Sequence, residues 1–557
     1  MKKLTIAVLA AAWAFAACCG EAVFRRPISR VASMDPIRSS SVPDATCVQL
    51  VYETPLEVDY YARPYRLKPG LCSLPEVSED GRVYILRLRG GSRFADDGCF
   101  ASGRGRAVTA DDVVYSMNRL ADKTNASSGM WLMSKVESVE AIGDDAVKIT
   151  LKAPLHVFPW YLAMAYTGVV PREAVEAYGQ RFGSHPVGSG AYRLVKWRRN
   201  HTMEFELNPA WPGWSSEADS GSLGEGARVG RIVYSVIDDP STQWLMFLKG
   251  ELDFLAEITQ DYRDAILVRD AEGGTPRLDP GLSAKGFTFW TGSALDIFYM
   301  GMNLRSPRLR DNKKLRQALN CAFDFPKWAE FRKGGVTQAT GPVPPGVTWR
   351  LETPYEYSFN EQKALMLLEE AGYSVHRDEA TGRMQAIDPA TGRRLSLTYT
   401  LGRATQTDRE EAELVKSFYE KVGIDLELRF MTWTGFLQAV DEGRLELFRM
   451  GWVGDYPDAE NFLQLFHTRN LTPGPNHSSY SNPEFDEVYD RAMEASARAL
   501  PEAGELWAKA QEIVREDAPW VFMYHPERYS LTGPRLSGYM PGDFPYGAER
   551  HFRLRDL

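Results

Sequence analysis

The chain of 557 residues lacks the features that mark several large classes of protein. Its net charge is −9 and it has no block of clustered Lys or Arg, which excludes the phosphate-neutralising surface of a nucleic-acid binder. It also lacks the G-x-S-x-G, H-E-x-x-H, P-loop, calcium-loop and paired C-x-x-C motifs of common enzymes. These absences weaken an enzymatic interpretation, although a carboxylate pair for glycoside hydrolysis would leave no motif.

Cysteine and histidine are too scattered to indicate a metal centre, and no metal or cofactor is expected. Cys18 and Cys19 belong to the N-terminal apolar segment. Four cysteines remain for the folded part, and we expect structural roles for them: Cys47, Cys72, Cys99 and Cys321. Export would permit a disulfide, but the spacing does not decide the pairing. His467 and His477 are expected to be solvated or core residues.

The N-terminus carries the only long apolar run. Lys2 and Lys3 precede the apolar residues 4–17, a run too short for a stable membrane span and typical of a signal peptide. The small residues before Cys18 are similar to a bacterial lipobox, in which the cysteine is lipidated; simple cleavage near Ala17 is the alternative, because Phe15 replaces the usual Leu. We therefore expect residues 1–18 to direct export to the periplasm or another extracytoplasmic location, with a lipid as the membrane anchor.

The length predicts at least two lobes, each with its own core. Alternating apolar residues predict half-buried strands around residues 84–88, 147–151, 203–207 and 395–399. Helix starts are marked by capping or opening residues, namely Thr109 with Asp112, Asp311, Asn360 and Asn482-Pro483. Residues 214–230 are predicted to form a surface loop.

Residues 395–452 predict strand, helix, strand, helix and strand in turn, which is typical of parallel pairing in an α/β lobe. Ligands of such sheets bind beyond the carboxyl ends of the strands. Trp452 and the residues that follow it are therefore expected to border a cleft.

Several segments in order resemble the family 5 extracellular solute-binding proteins, the peptide receptors of ABC importers. They are Asp35-Pro36, 84–94, 109–116, 186–192 with Trp197, 315–319, 369–373, the G-W-V-G-D-Y-P-D segment 451–458, and 480–486. Together they cover nearly the whole mature chain.

The resemblance implies an α/β fold of two hinged lobes, a type II periplasmic-binding-protein fold similar to cluster C, with a subdomain inserted in lobe I. The lobes would close over the ligand, and the closed form would be recognised by the permease. The implied divisions are 19–55, 185–295 and 512–557 for lobe I, 56–184 for the inserted subdomain and 296–511 for lobe II.

The resemblance also implies the ligand-binding residues. Asp455 would pair with the α-ammonium of a peptide, since a buried ammonium needs a charged partner, and Arg449 would meet a ligand carboxylate. Trp433 and Trp452 would wall side-chain pockets, and Tyr524 would be a cleft tyrosine near the second crossing between the lobes. Ser40, Ser41 and Val42 would lie along the peptide backbone.

The resemblance implies a monomeric binder and not an enzyme, with a short peptide and the ABC permease subunits as partners. A metal chelate, haem, sugar or opine remains an alternative ligand. An exported hydrolase, or a receptor that signals to another protein, is a further alternative.

Overall fold

The structure is a computed structural model, and it describes residues 22–215, 224–268 and 276–556. The expected signal segment 1–18 and the lipidation site Cys18 lie outside the described residues, as does the part of the expected loop at 216–223. Two compact units divide the chain: the first takes residues up to Gly292 and from Arg528, and the second takes Ser293–Glu527. The lobe and subdomain limits given above stay a prediction.

The first unit contains two four-stranded sheets. One has the strand order Val23–Ile28, Arg231–Val236, Thr202–Leu207, Tyr192–Arg198, and the other the order Glu76–Val77, Val83–Arg87, Ala146–Leu151, Val136–Ile142. Smaller sheets pair Leu56–Val58 with Leu67–Pro69, Leu267–Val268 with Arg277–Leu278, and Arg553–Leu554 with both Ala227–Arg228 and Leu536–Ser537. The predicted strands around 84–88, 147–151 and 203–207 are confirmed to within one residue at each end.

The α-helices of the first unit are Val42–Val51, Ala110–Ala121, Met130–Met133, Phe158–Tyr161, Arg172–Tyr178, Pro240–Leu248, Gln260–Ile266 and Pro280–Ser283. The predicted capping pair is present at the start of helix Ala110–Ala121. Thr109 and Asp112 form a capping box, in which the Thr109 amide donates to Asp112 at 2.9 Å.

The second unit contains a mixed sheet with the strand order Trp520–Thr532, Asp296–Met302, Leu447–Val453, Ser396–Leu401, Asp425–Phe430. The last three strands are parallel, as predicted, and Asp296–Met302 is antiparallel to both of its neighbours. In the second unit, Val336–Gln338 also pairs with residues 524–526. In the first unit, Phe254–Leu255 pairs with residues 531–532. A separate small sheet contains Ser374–Arg377, Met384–Asp388 and Arg393–Arg394.

The α-helices of the second unit are Pro307–Arg310, Lys313–Ala322, Phe325–Phe331, Glu361–Glu370, Gln406–Lys421, Trp433–Asp441, Glu460–Leu463, Pro483–Ala497 and Ala503–Asp517. Asn360 and Asn482 cap their helices as predicted. The prediction for Asp311 is wrong, because the neighbouring Asn312 accepts from the Leu315 amide at 3.0 Å and caps Lys313–Ala322 instead.

The four cysteines of the described chain are free thiols. Within the described residues, no group of His, Cys, Asp and Glu is arranged to hold a metal ion. None of the described helices is long and apolar enough to cross a membrane.

The side chain of Asn320 forms hydrogen bonds with the backbone of strand Trp520–Thr532 where the pairing of that strand is irregular. Phe298 pairs with Tyr524 while Tyr299 pairs with Phe522, so the register shifts there. Asn320 is buried in helix Lys313–Ala322; its side chain donates to the Trp520 carbonyl at 2.9 Å and accepts from the Phe522 amide at 3.3 Å. One side chain thus satisfies backbone groups beside the irregularity.

We predict that Asn320→Ala lowers the free energy of unfolding of the second unit by about 2 kcal/mol, because two buried backbone groups lose their partner. Urea denaturation followed by tryptophan fluorescence measures this change. The matched control is Asn118→Ala, at an exposed position of helix Ala110–Ala121, which should leave the midpoint nearly unchanged. Equal midpoints for the two variants would contradict the role of Asn320.

Candidate functional site

The second unit contains a cavity of about 400 Å³ beside the carboxyl end of strand Ser396–Leu401. This is the end of a parallel strand at which ligands of open α/β sheets bind. The cavity is lined by Phe298, Leu401, Gly402, Arg403, Asp408, Trp433, Arg449, Met450 and Gly451. The structure therefore brings together two of the predicted site residues, Trp433 and Arg449.

Two glycines allow aromatic rings to form the walls of the cavity. A Cβ atom at Gly402 would lie 2.7 Å from the Trp433 ring, and one at Gly451 would lie 2.7 Å from the Phe298 ring. Gly451 is the register partner of Phe298 on the neighbouring strand, so the ring folds over the glycine. Trp433 stacks on Phe436 and is 52% exposed, which leaves one face available to a ligand.

Arg449 is held in a buried ion pair. Its Nη1 atom lies 2.8 Å from Oε1 of Glu411, and the two side chains are 10% and 2% exposed. Arg332 lies 3.5 Å from the other carboxylate oxygen of Glu411. Burial, the largest single influence, lowers the pKa of Arg449, but Glu411, Tyr524, Tyr399 and Asp408 together outweigh it and raise the pKa. The guanidinium is therefore charged, and its charge is balanced within the protein.

Arg403 is the accessible cation of the cavity. It follows strand Ser396–Leu401, its side chain is 68% exposed, and its Nη2 atom lies 3.7 Å from Asp408. Asp408 is already engaged as the capping-box residue of helix Gln406–Lys421, where it accepts from the Thr405 amide at 3.2 Å. Most of the guanidinium donors of Arg403 thus remain open to a ligand carboxylate.

Asp455 and Trp452 are both bound by Asn461. The buried Oδ1 atom of Asn461 accepts from the indole Nε1 of Trp452 at 2.9 Å and from the Asp455 amide at 3.2 Å. The side chain of Asp455 is exposed, and it is the neighbouring Asp458 that accepts from the amide of Glu460, at 3.0 Å. Asp455 is therefore left available for a ligand.

The ionisation of Asp455 is shifted by its surroundings. Desolvation by the surrounding protein raises the pKa of Asp455 to about 6, although water still reaches the exposed side chain. The amide of Asn461 opposes the rise and Glu460 adds to it. A cationic group placed beside it would stabilise the ionised form of the Asp455 carboxylate.

The remaining predicted site residues lie elsewhere. Tyr524 is buried in the second unit, where its ring stacks on Phe298 at 4.9 Å, so it supports the cavity wall from behind. Ser40, Ser41 and Val42 belong to the first unit. They precede and open helix Val42–Val51, with Ser41 as its N-cap, and all three are exposed.

Three functional candidates were missed by the sequence reasoning. Arg403 could have been found from its position directly after a predicted strand end, where α/β sheets bind ligands. Glu411 and Asn461 carried no such signal, because their importance lies in contacts with Arg449 and with Trp452.

The family model "Bacterial extracellular solute-binding proteins, family 5 Middle" matches residues 66–472. The chain belongs to this family. The family 5 protein is 26% identical to heme-binding protein A of Haemophilus influenzae over 86% of this chain and 83% of the relative. It is 24% identical to the probable di/tripeptide-binding protein 5 of Pseudomonas aeruginosa over 89% and 88% of the two chains.

Solved structures confirm the fold of this family 5 protein. The structure of HbpA2 from Haemophilus parasuis superposes with a TM-score of 0.79 at 24% identity, covering 96% of this chain and all of the other. The predicted α/β fold, that of two-lobed periplasmic solute-binding proteins, is thereby confirmed.

We predict that Glu411→Gln destabilises the second unit by about 3 kcal/mol, because Arg449 would keep its charge with only Asp408, at 3.9 Å, as a buried acidic partner. Chemical denaturation of the purified variant measures the loss. Glu413→Gln, at an exposed position of the same helix, is the matched control. If both variants unfold at the same denaturant concentration, the ion pair between Arg449 and Glu411 does not stabilise the second unit.

Proposed function

We propose that this family 5 protein captures short peptides outside the cytoplasmic membrane and delivers them to the permease of an ABC importer. The observation that carries the proposal is Asp455, an exposed carboxylate that does not cap the adjacent helix and whose pKa is raised to about 6. A ligand ammonium would relieve that unfavourable charge. The name of the Pseudomonas relative, which specifies di- and tripeptides, agrees with this ligand class.

Arg403 supplies the second contact in this proposal. Arg449 matched the family position for a ligand carboxylate, but its charge is balanced by Glu411 at 2.8 Å. Arg403 is the exposed guanidinium at the same cavity, and it suits a carboxylate in bidentate geometry. The exposed face of Trp433 offers an apolar wall that accepts many side chains.

Haem is the second candidate ligand, because a relative is named heme-binding protein A. Haem iron is usually held by His, Cys, Met or Tyr. Among the residues that line the cavity, Met450 alone carries such a donor, which favours the peptide. Titration with haemin distinguishes the two, since haem ligation shifts the Soret band and a peptide receptor would show no saturable change.

The proposal includes an N-terminal lipid on Cys18 and a monomeric receptor without catalytic activity. Its support is the sequence of residues 1–18, with two lysines, an apolar run and small residues before the cysteine. Incubation with peptides should leave them uncleaved.

We predict that Asp455→Asn weakens the binding of trialanine roughly 10- to 100-fold, because a charge-assisted contact is lost. Isothermal titration calorimetry at neutral pH measures the change. Glu369→Gln removes an exposed carboxylate of the same unit and is the control. N-acetylated trialanine should bind weakly to the unmodified protein, and undiminished affinity of the Asn variant would remove Asp455 from the site.

We predict that Arg403→Gln weakens trialanine binding roughly tenfold and that amidation of the peptide C-terminus has little further effect on this variant. The small second effect is expected because amidation and the substitution remove the same contact. Arg310→Gln, which removes an exposed arginine paired with Asp311, is the control. Additive losses for the two changes would show that Arg403 does not meet the ligand carboxylate.

A further inference from the structure

Asn461 has more bonding capacity than its present contacts use. It is fully buried at the start of helix Glu460–Leu463, and its Oδ1 atom serves both Trp452 and the Asp455 amide. Its Nδ2 atom is also buried, and it has no hydrogen-bond partner within the described part of the chain. A buried donor without a partner costs about 1–3 kcal/mol, so a nearby acceptor would be stabilising.

The acceptor within reach is the carboxylate of Asp455. The two residues are already in contact, because the Asp455 amide donates to Oδ1 of Asn461 at 3.2 Å. The side-chain amide of Asn461 also lowers the pKa of Asp455. Asp455 is exposed and free to change its rotamer, whereas Asn461 is fixed by its two accepted bonds.

Glu460 is the charged neighbour that opposes this arrangement. Its carboxyl accepts from the hydroxyls of Tyr456 and Tyr489, the latter at 2.7 Å, and it disfavours the ionised form of Asp455. Asn461 is therefore the polar side chain that favours a charged Asp455 against both desolvation and Glu460.

We propose that Asn461 is a positioning residue for the ligand: its side-chain amide donates to the carboxylate of Asp455 and holds it ionised toward the ammonium group of the ligand. This role rests on the proposed function. The same amide acts in the unliganded protein, where it favours the ionised form of Asp455 before any ligand binds.

The decisive variant is Asn461→Asp. An aspartate keeps the Oδ1 acceptor that serves both Trp452 and the Asp455 amide, and it replaces only the Nδ2 donor with an oxygen. Asn360→Asp is the matched control, since it adds the same charge at a helix cap where Asp serves equally well. Carbon-13 NMR of carboxyl-labelled aspartate, assigned with Asp455→Asn, follows the titration of Asp455 without ligand.

The titration midpoint of Asp455 should rise by about one pH unit in Asn461→Asp, because a hydrogen-bond donor is exchanged for a like charge. It should stay unchanged in Asn360→Asp. Asn461→Ala also removes the donor and should raise the midpoint, which provides a second variant if the first does not fold. An unchanged midpoint in a folded Asn461 variant would overturn the proposal, whether or not the protein binds peptides.

Calorimetry with trialanine between about pH 5 and 8 supplies the ligand readout. Binding to the unmodified protein should weaken as the pH falls through about 6, where Asp455 becomes protonated. In Asn461→Asp the weakening should begin at a higher pH than in the unmodified protein. Equal weakening at every pH would indicate a merely structural role. Failure of the unmodified protein to bind would refute the proposed function separately from the titration result.

Discussion

The ion pair between Arg449 and Glu411 is the interaction on which the cavity depends. Both side chains are buried beneath the cavity, and their charges balance at 2.8 Å. Without Glu411 the buried charge on strand Leu447–Val453 would keep only the more distant Asp408, at 3.9 Å, as its acidic partner, which would destabilise the sheet. Arg449 is thus paired within the protein, whereas Arg403 borders the same cavity with its side chain 68% exposed.

Strand Leu447–Val453 ends beside a second group of candidate residues, which includes Asp455. Leu447–Val453 supplies Arg449 and Gly451 to the cavity, contains Trp452 near its end, and is followed closely by Asp455. Asn461 then ties the indole and the aspartate amide to one buried oxygen. This hydrogen bond holds the backbone at Asp455, while the side chains of Asp455 and Arg403 are exposed. Such an arrangement lowers the entropic cost of binding a flexible peptide.

The fold could be predicted from the sequence because its signals are local. The alternation of apolar and polar residues predicted the strand Ala146–Leu151, and the pair Thr109 and Asp112 predicted a helix start; the structure confirms both. The parallel strands of residues 395–452 followed from strands separated by helices. The error at Asp311 was also local, since two adjacent residues both suit a cap and only the geometry selects Asn312.

The site was less accessible to sequence reasoning because its chemistry depends on contacts between distant residues. The family resemblance identified Arg449, but it did not identify Glu411, the residue 38 positions earlier that pairs with it. Tyr524 was recognised as an aromatic neighbour of the site, yet burial places it behind Phe298. Whether a charge is free or already paired is a property of packing, and one sequence does not contain it.

The central claim is that an ionised Asp455 neutralises the ammonium group of a peptide. Proton release on binding tests this claim most directly, and it is measured by calorimetry in buffers of different ionisation enthalpy. Since the pKa of Asp455 is raised to about 6, trialanine binding at pH 6 should release about half a proton. The Asp455→Asn variant should release none. Binding without proton release in the unmodified protein would contradict the account.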